Sequence, residues 1–65
     1  MNNLNVTNIK RLRICQGLSV QELADKIHVT RQSIYNYESG KQFPNKGVIK
    51  KLCKFFNVDV SELIS

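Results

Sequence analysis

The stretch TRQSIYNYESGK, residues 30–41, concentrates side chains that hydrogen-bond at two ends at once. On a helix at 100° per residue, Gln32, Asn36 and Ser39 fall in a narrow arc opposite Ile34, with Tyr35 flanking it and Arg31 and Ser33 at the N-terminal tip. Arg offers a planar fork of donors, and Gln and Asn each carry a donor beside an acceptor. Those groups match the edges of nucleic-acid bases, Arg with guanine O6 and N7, Gln and Asn with adenine N6 and N7. Polar residues cover the outer face of any surface helix, so their types decide more than their polarity does. This face carries no Asp or Glu, which phosphates would repel. No nucleophile, base and orienting group come together in the chain, and His28 is the sole histidine, so it reads as no enzyme.

Charge points the same way. Ten Lys and Arg against five Asp and Glu give a formal charge of +5, which favours an anionic partner, nucleic acid or a lipid surface. At 65 residues the chain reads as a single domain over 1–65, without room for a ligand-sensing domain. A domain of this size buries only about 60% of its unfolded surface, so a second copy of itself or another partner would add stability. Its content, 42% hydrophobic and 23% charged, is that of a folded protein. Cys15 and Cys53 lie far apart with no CxxC, so both read as reduced thiols and neither metal nor cofactor is expected. No apolar run exceeds two residues, which excludes a signal-peptide core and a transmembrane helix and predicts a cytoplasmic location.

The elements that must hold the polar face follow from caps and apolar spacing. The opening MNNLNVTN has four Asn and no Lys or Arg, so it reads as a frayed tail rather than an arm reaching DNA, most clearly over residues 1–6. From about Thr7 a first helix sets Ile9, Leu12 and Gln16 on one face with Arg13 beside them, and Gly17 stops it. SVQE from Ser19 is a capping box with Glu22, followed by Val20, Leu23, Ala24 and Ile27 at helical spacing. This helix must end by His28 or Val29, because Thr30 caps a third, whose inner stripe is Ile34, Tyr37 and Glu38 and whose end is Gly40. Pro44 and the cap Asn45 open a fourth helix. Lys46, Lys50, Lys51 and Lys54 fill one arc of roughly 140° there, and Val48, Ile49, Leu52, Cys53, Phe55 and Phe56 lie opposite. DVSE, with Asp59 and Glu62, starts a short fifth helix through Leu63 and Ile64. The prediction is an all-α bundle of five helices.

Two helices joined by three or four residues cross steeply, and the crossing needs a small residue where their backbones meet. Ala24 is that residue, with Leu23 and Ile27 before the turn, Val29 in it, and Ile34 and Tyr37 after it. The spacing is a helix-turn-helix over residues 19–40.

The runs NIKRLR, GLSVQELADKIHVTRQSIYNYESGK and FNVDVSELI together resemble the Cro/C1-type helix-turn-helix family, the lambda-repressor-like fold of phage and bacterial repressors, over nearly the whole chain. The resemblance implies a small transcriptional regulator, most often a repressor, that binds a near-palindromic double-stranded DNA operator as a homodimer. It assigns base contacts to Arg31, Gln32, Ser33 and Asn36, beside Tyr35, and places Ser19, Ser39, Lys41, Asn45 and Lys46 near phosphate. The residues agree on the phosphate side: Ser19 and Asn45 cap helix N-termini, whose N–H groups attract phosphate oxygens, and Lys41 and Lys46 add charge beside the recognition helix. The other lysines of the fourth helix read as solvated. The family also pairs an arginine of the first helix with a glutamate late in the recognition helix, here Arg13 and Glu38, and both fall on core-facing stripes.

Some positions depart from that pattern. His28 stands where the turn usually has glycine, and positive φ there would cost a modest strain. Val20 replaces a common polar residue, Gly47 weakens the fourth helix slightly, and Ile14 points away from the first helix's apolar stripe. For a dimer contact, Phe43, Phe56, Val58, Val60 and Ile64 are loose candidates. The same fold serves in antitoxins and anti-repressors, so a protein partner is the second reading, and membrane binding through the basic fourth helix is the third. The apolar face of that helix is more simply core, which speaks against a membrane role.

Overall fold

The computed structural model describes residues 7–64, so the frayed tail expected over residues 1–6 lies outside the described residues. Five α-helices follow one another with no strand among those residues: α1 Ile9–Cys15, α2 Val20–Ile27, α3 Arg31–Ser39, α4 Lys46–Phe56 and α5 Val60–Ile64. The fold is all-α, as the apolar spacing predicts. Thr7 and Asn8, the last two residues of MNNLNVTN, are anchored instead of frayed. Thr7 is buried, Asn8 N–H donates to Leu63 O at 2.7 Å, and the Asn8 side-chain amide donates to Glu62 O at 2.6 Å. The segment that leads into α1 is thereby tied to α5.

Side chains cap three of the helices. Ser19 Oγ accepts from Glu22 N–H at 3.0 Å and the Glu22 carboxylate accepts from Ser19 N–H at 2.8 Å, a complete capping box. Thr30 Oγ1 accepts from Ser33 N–H at 3.1 Å, and Asn45 Oδ1 accepts from Val48 N–H at 2.9 Å. At α5 the Glu62 carboxylate accepts from Asp59 N–H at 3.0 Å.

The helix ends are as regular as their starts. Gly17, His28 and Asn57 are all left-handed, with φ of 71°, 60° and 58°. Each precedes an apolar residue whose N–H returns to the carbonyl five residues back: Leu18 to Arg13, Val29 to Ala24 and Val58 to Cys53. A left-handed residue turns the chain sharply enough to satisfy an end carbonyl and to drop the next apolar side chain onto the core.

Ile9 of α1, Leu23, Ala24 and Ile27 of α2, Ile34 and Tyr37 of α3, Val48, Leu52 and Phe56 of α4 and Leu63 of α5 form one core. Ala24 of α2 is wholly buried in this core, and α2 and α3 pack against each other. Pro44 is buried as well and pins the loop into α4. Two sequence expectations change. Gln16 is the exposed C-cap of α1 and not part of its inner stripe, because the helix has ended. Phe56 is a core residue and so is no free dimer contact.

Candidate nucleic-acid interface

α3 is held from behind by Ile34 and Tyr37 and by an ion pair. Arg13 of α1 meets the Glu38 carboxylate through both arms of a fork, Nε to Oε2 at 2.6 Å and Nη2 to Oε1 at 3.2 Å. Its Nη1 also donates to Leu18 O at 2.8 Å. The two side chains retain only 12% and 8% of their exposure, so the charges are largely withdrawn from water. The hydrogen bond to Glu38 raises the Arg13 pKa against the desolvation that would lower it, and keeps the guanidinium charged. Glu38 is the only acid on α3, and this pairing leaves the outward face without a free carboxylate.

On that face Arg31, Gln32 and Tyr35 are exposed and Asn36 is half-buried. Gln32 Nε2 donates to Asn36 Oδ1 at 3.1 Å, so the two amides stand side by side along the helix. Each keeps a donor and an acceptor unused. Ser33 is half-buried, its hydroxyl 2.9 Å from Thr30 Oγ1, and so it leans back toward the cap. Tyr35 shares a shallow cleft with Lys10 and Ser39, at the α1 side of the face.

The residues suggested for phosphate are all exposed: Ser19, Ser39, Lys41, Asn45 and Lys46. Ser19 and Asn45 mark the starts of α2 and α4, eight and eleven residues long, where first-turn N–H groups lack helical partners. Glu22 accepts from the Ser19 backbone N–H and is also hydrogen-bonded to its side chain, which together hold the Glu22 carboxyl below the usual range. Ser39 is engaged locally, with Oγ donating to Asn36 O at 3.3 Å and accepting from Lys41 N–H at 3.4 Å. That contact shapes the turn carrying Lys41.

Two residues escape a reading based on helical spacing. Lys51 Nζ donates to Ile27 O at 3.3 Å, closing the C-terminal end of α2 from α4. Gln42 lies beyond α3 but returns to it, with its N–H on Asn36 O at 3.1 Å. A lysine after a run of lysines gives no such signal; Gln42, two residues past a left-handed glycine, carries a faint one. Among the described residues no group of His, Cys, Asp and Glu could hold a metal ion, and no helix is long and apolar enough to cross a membrane.

A helix-turn-helix family profile matches residues 9–63. The chain is 39% identical over 57 residues to the HTH-type transcriptional activator BcrR of Enterococcus faecalis, covering 88% of this chain and 28% of that protein. It is 36% identical over 59 residues to the cryptic phage CTXphi transcriptional repressor RstR of Vibrio cholerae, covering 91% of this chain and 53% of that protein. It is 36% identical over 55 residues to the competence pilus inhibition repressor of Acinetobacter baylyi, covering 85% of this chain and 50% of that protein. The chain thus spans from about a quarter to about half of these relatives' lengths. Its five helices, with α2 packed on α3 and a polar face of α3 left without a free carboxylate, carry the same pattern, and the chain belongs to the helix-turn-helix family of DNA-binding transcription regulators.

Proposed function

We propose that this chain is a sequence-specific repressor that binds a near-palindromic operator as a homodimer, with residues 1–65 acting as one DNA-binding domain in the cytoplasm. The observation that carries the reading is the outer face of α3: a fork of donors at Arg31 and two aligned amides at Gln32 and Asn36, beside a Glu38 already neutralised by Arg13. In this proposal α3 lies in the major groove. Arg31, Gln32 and Asn36 read base edges, with Ser33 and Tyr35 at the margins, while Ser19, Ser39, Lys41, Asn45 and Lys46 anchor the phosphates on either side. Two of the relatives are named as repressors and one as an activator, and repression by occupying the operator needs nothing beyond the DNA-binding bundle.

Selecting bound sites from random duplexes tests the reading. The expected product is a two-fold-symmetric site with half-sites about 10–10.5 base pairs apart or a multiple of that, bound less tightly as salt rises by about 0.9 log units per phosphate contact. No enriched sequence, or a flat salt response, refutes it.

A further inference from the structure

We propose that Gln42, outside the recognition helix, is a positioning residue that sets the orientation of the Asn36 side-chain amide; the inference rests on the base-reading role proposed for Asn36. Gly40 is left-handed, with φ of 82°, and turns the chain back so that Gln42 N–H donates to Asn36 O at 3.1 Å. The backbone therefore brings Gln42 alongside the last turns of α3. Its side chain completes a row of three amides: Gln32 Nε2 donates to Asn36 Oδ1 at 3.1 Å, and Asn36 Nδ2 donates to Gln42 Oε1 at 3.4 Å. Asn36 is the half-buried middle member, and Gln32 and Gln42 are exposed.

An amide presents opposite donor and acceptor patterns in its two orientations, and the shape alone barely distinguishes them. Turned by itself, Asn36 would set donor against donor at Gln32 and acceptor against acceptor at Gln42. Both hydrogen bonds survive such a turn only when all three amides turn together. Asn36 still has one N–H and one lone pair to offer a base, so the row does not consume its reading capacity; it decides which way that capacity faces. What stands at position 42 therefore governs the preference at the base pair that Asn36 meets.

Three substitutions at this exposed site test the idea. Gln42→Glu keeps an acceptor facing Asn36 Nδ2, Gln42→Ala removes the partner, and Gln42→Lys presents only donors and so favours the turned Asn36 amide, with the exposed Gln32 amide turning in step. In the free protein, the Asn36 side-chain amide signals in NMR are expected to stay in place with Gln42→Glu and to move with Gln42→Ala and Gln42→Lys, while the backbone signals of α3 hold. On the site selected by the wild-type chain, discrimination is read as the ratio of affinities for the site and for each single-base-pair variant, which cancels the uniform effect of added charge. It is expected to fall about fivefold at one base pair with Gln42→Ala, the lower end of what an amide–base pair supplies, to persist with Gln42→Glu and to change its preferred base with Gln42→Lys. Unmoved Asn36 signals in Gln42→Ala, or ratios unchanged at every base pair, overturn the proposal. Failure of the wild-type chain to select any site refutes base reading itself and this role with it, and the amide signals, which need no DNA, then separate that failure from absence of the coupling.

Discussion

At the scale of single residues, the proposed base-reading and phosphate-anchoring roles separate by chemistry. Gln32→Ala removes an amide from the proposed reading face and the hydrogen-bond partner of Asn36, and is expected to cost about 1–3 kcal/mol on the selected site with relaxed preference at one or two base pairs. Lys46→Ala is expected to weaken all sequences alike and to lower the salt slope by about 0.9. Titrations of both variants on selected and random duplexes check the division, and equal losses on both duplexes contradict it. Glu22 gives a pH dependence with a definite sign. Its folded pKa lies below the ordinary value of about 4.3, so its contribution to stability is complete above that value and is lost as pH falls through the folded pKa. Melting temperature is expected to drop on acidification from about pH 5 to about pH 3, and Glu22→Gln, which can still complete the capping box, flattens part of that drop. The types and spacing of Gln32, Asn36 and Glu22 were legible in the sequence because each acts within its own helix. Lys51 and Gln42 were not, since their partners, Ile27 O and the Asn36 amide, lie 24 and six residues away across a turn.

At the scale of elements, α3 is positioned by what lies behind it. Arg13→Ala strands the Glu38 carboxylate in a site with little water and is expected to cost about 3 kcal/mol in urea unfolding. The double substitution Arg13→Met with Glu38→Leu removes both charges and is expected to recover much of that loss. A double variant as unstable as Arg13→Ala would show that the pair contributes more than the cost of its own desolvation. The left-handed residues at four helix ends, Gly17, His28, Gly40 and Asn57, form the second device. His28→Gly relieves a side chain held at φ 60° and is expected to raise stability by about 0.5–1 kcal/mol, seen as a higher melting temperature with DNA affinity retained. Of these ends, Gly17 and Gly40 could be anticipated from glycine preference and His28 from the shortness of the turn. Asn57 could not, because FNVDV contains no glycine and asparagine serves caps and turns of many kinds.

At the scale of the whole molecule, the proposed dimer depends on apolar surface left outside the core. Val60 is 50% exposed at the start of α5 and Phe43 is 39% exposed, whereas Phe56 is taken up inside. Val60→Glu is therefore expected to shift the chain toward monomer in sedimentation and to weaken operator binding at limiting concentration, with little change in helix content. A variant that sediments as wild type moves the interface elsewhere. Cys53 sits against the core and its thiol pKa is raised, chiefly by burial and further by Asp59 and Glu62, while Cys15 lies exposed on α1. The sequence by itself determined the five helices and the amide-rich face of α3, because caps and apolar periodicity act within about four residues and need no distant partner. Only the tertiary structure decided that Thr7 and Asn8 are tied to α5, that Phe56 lies inward, that Lys51 closes α2 and that Gln42 returns to Asn36. Except for Gln42, which the turn at Gly40 returns to Asn36, those contacts join residues whose separation is bridged by the packing of whole helices, and no local pattern of residue types specifies which distant groups that packing brings within hydrogen-bond reach.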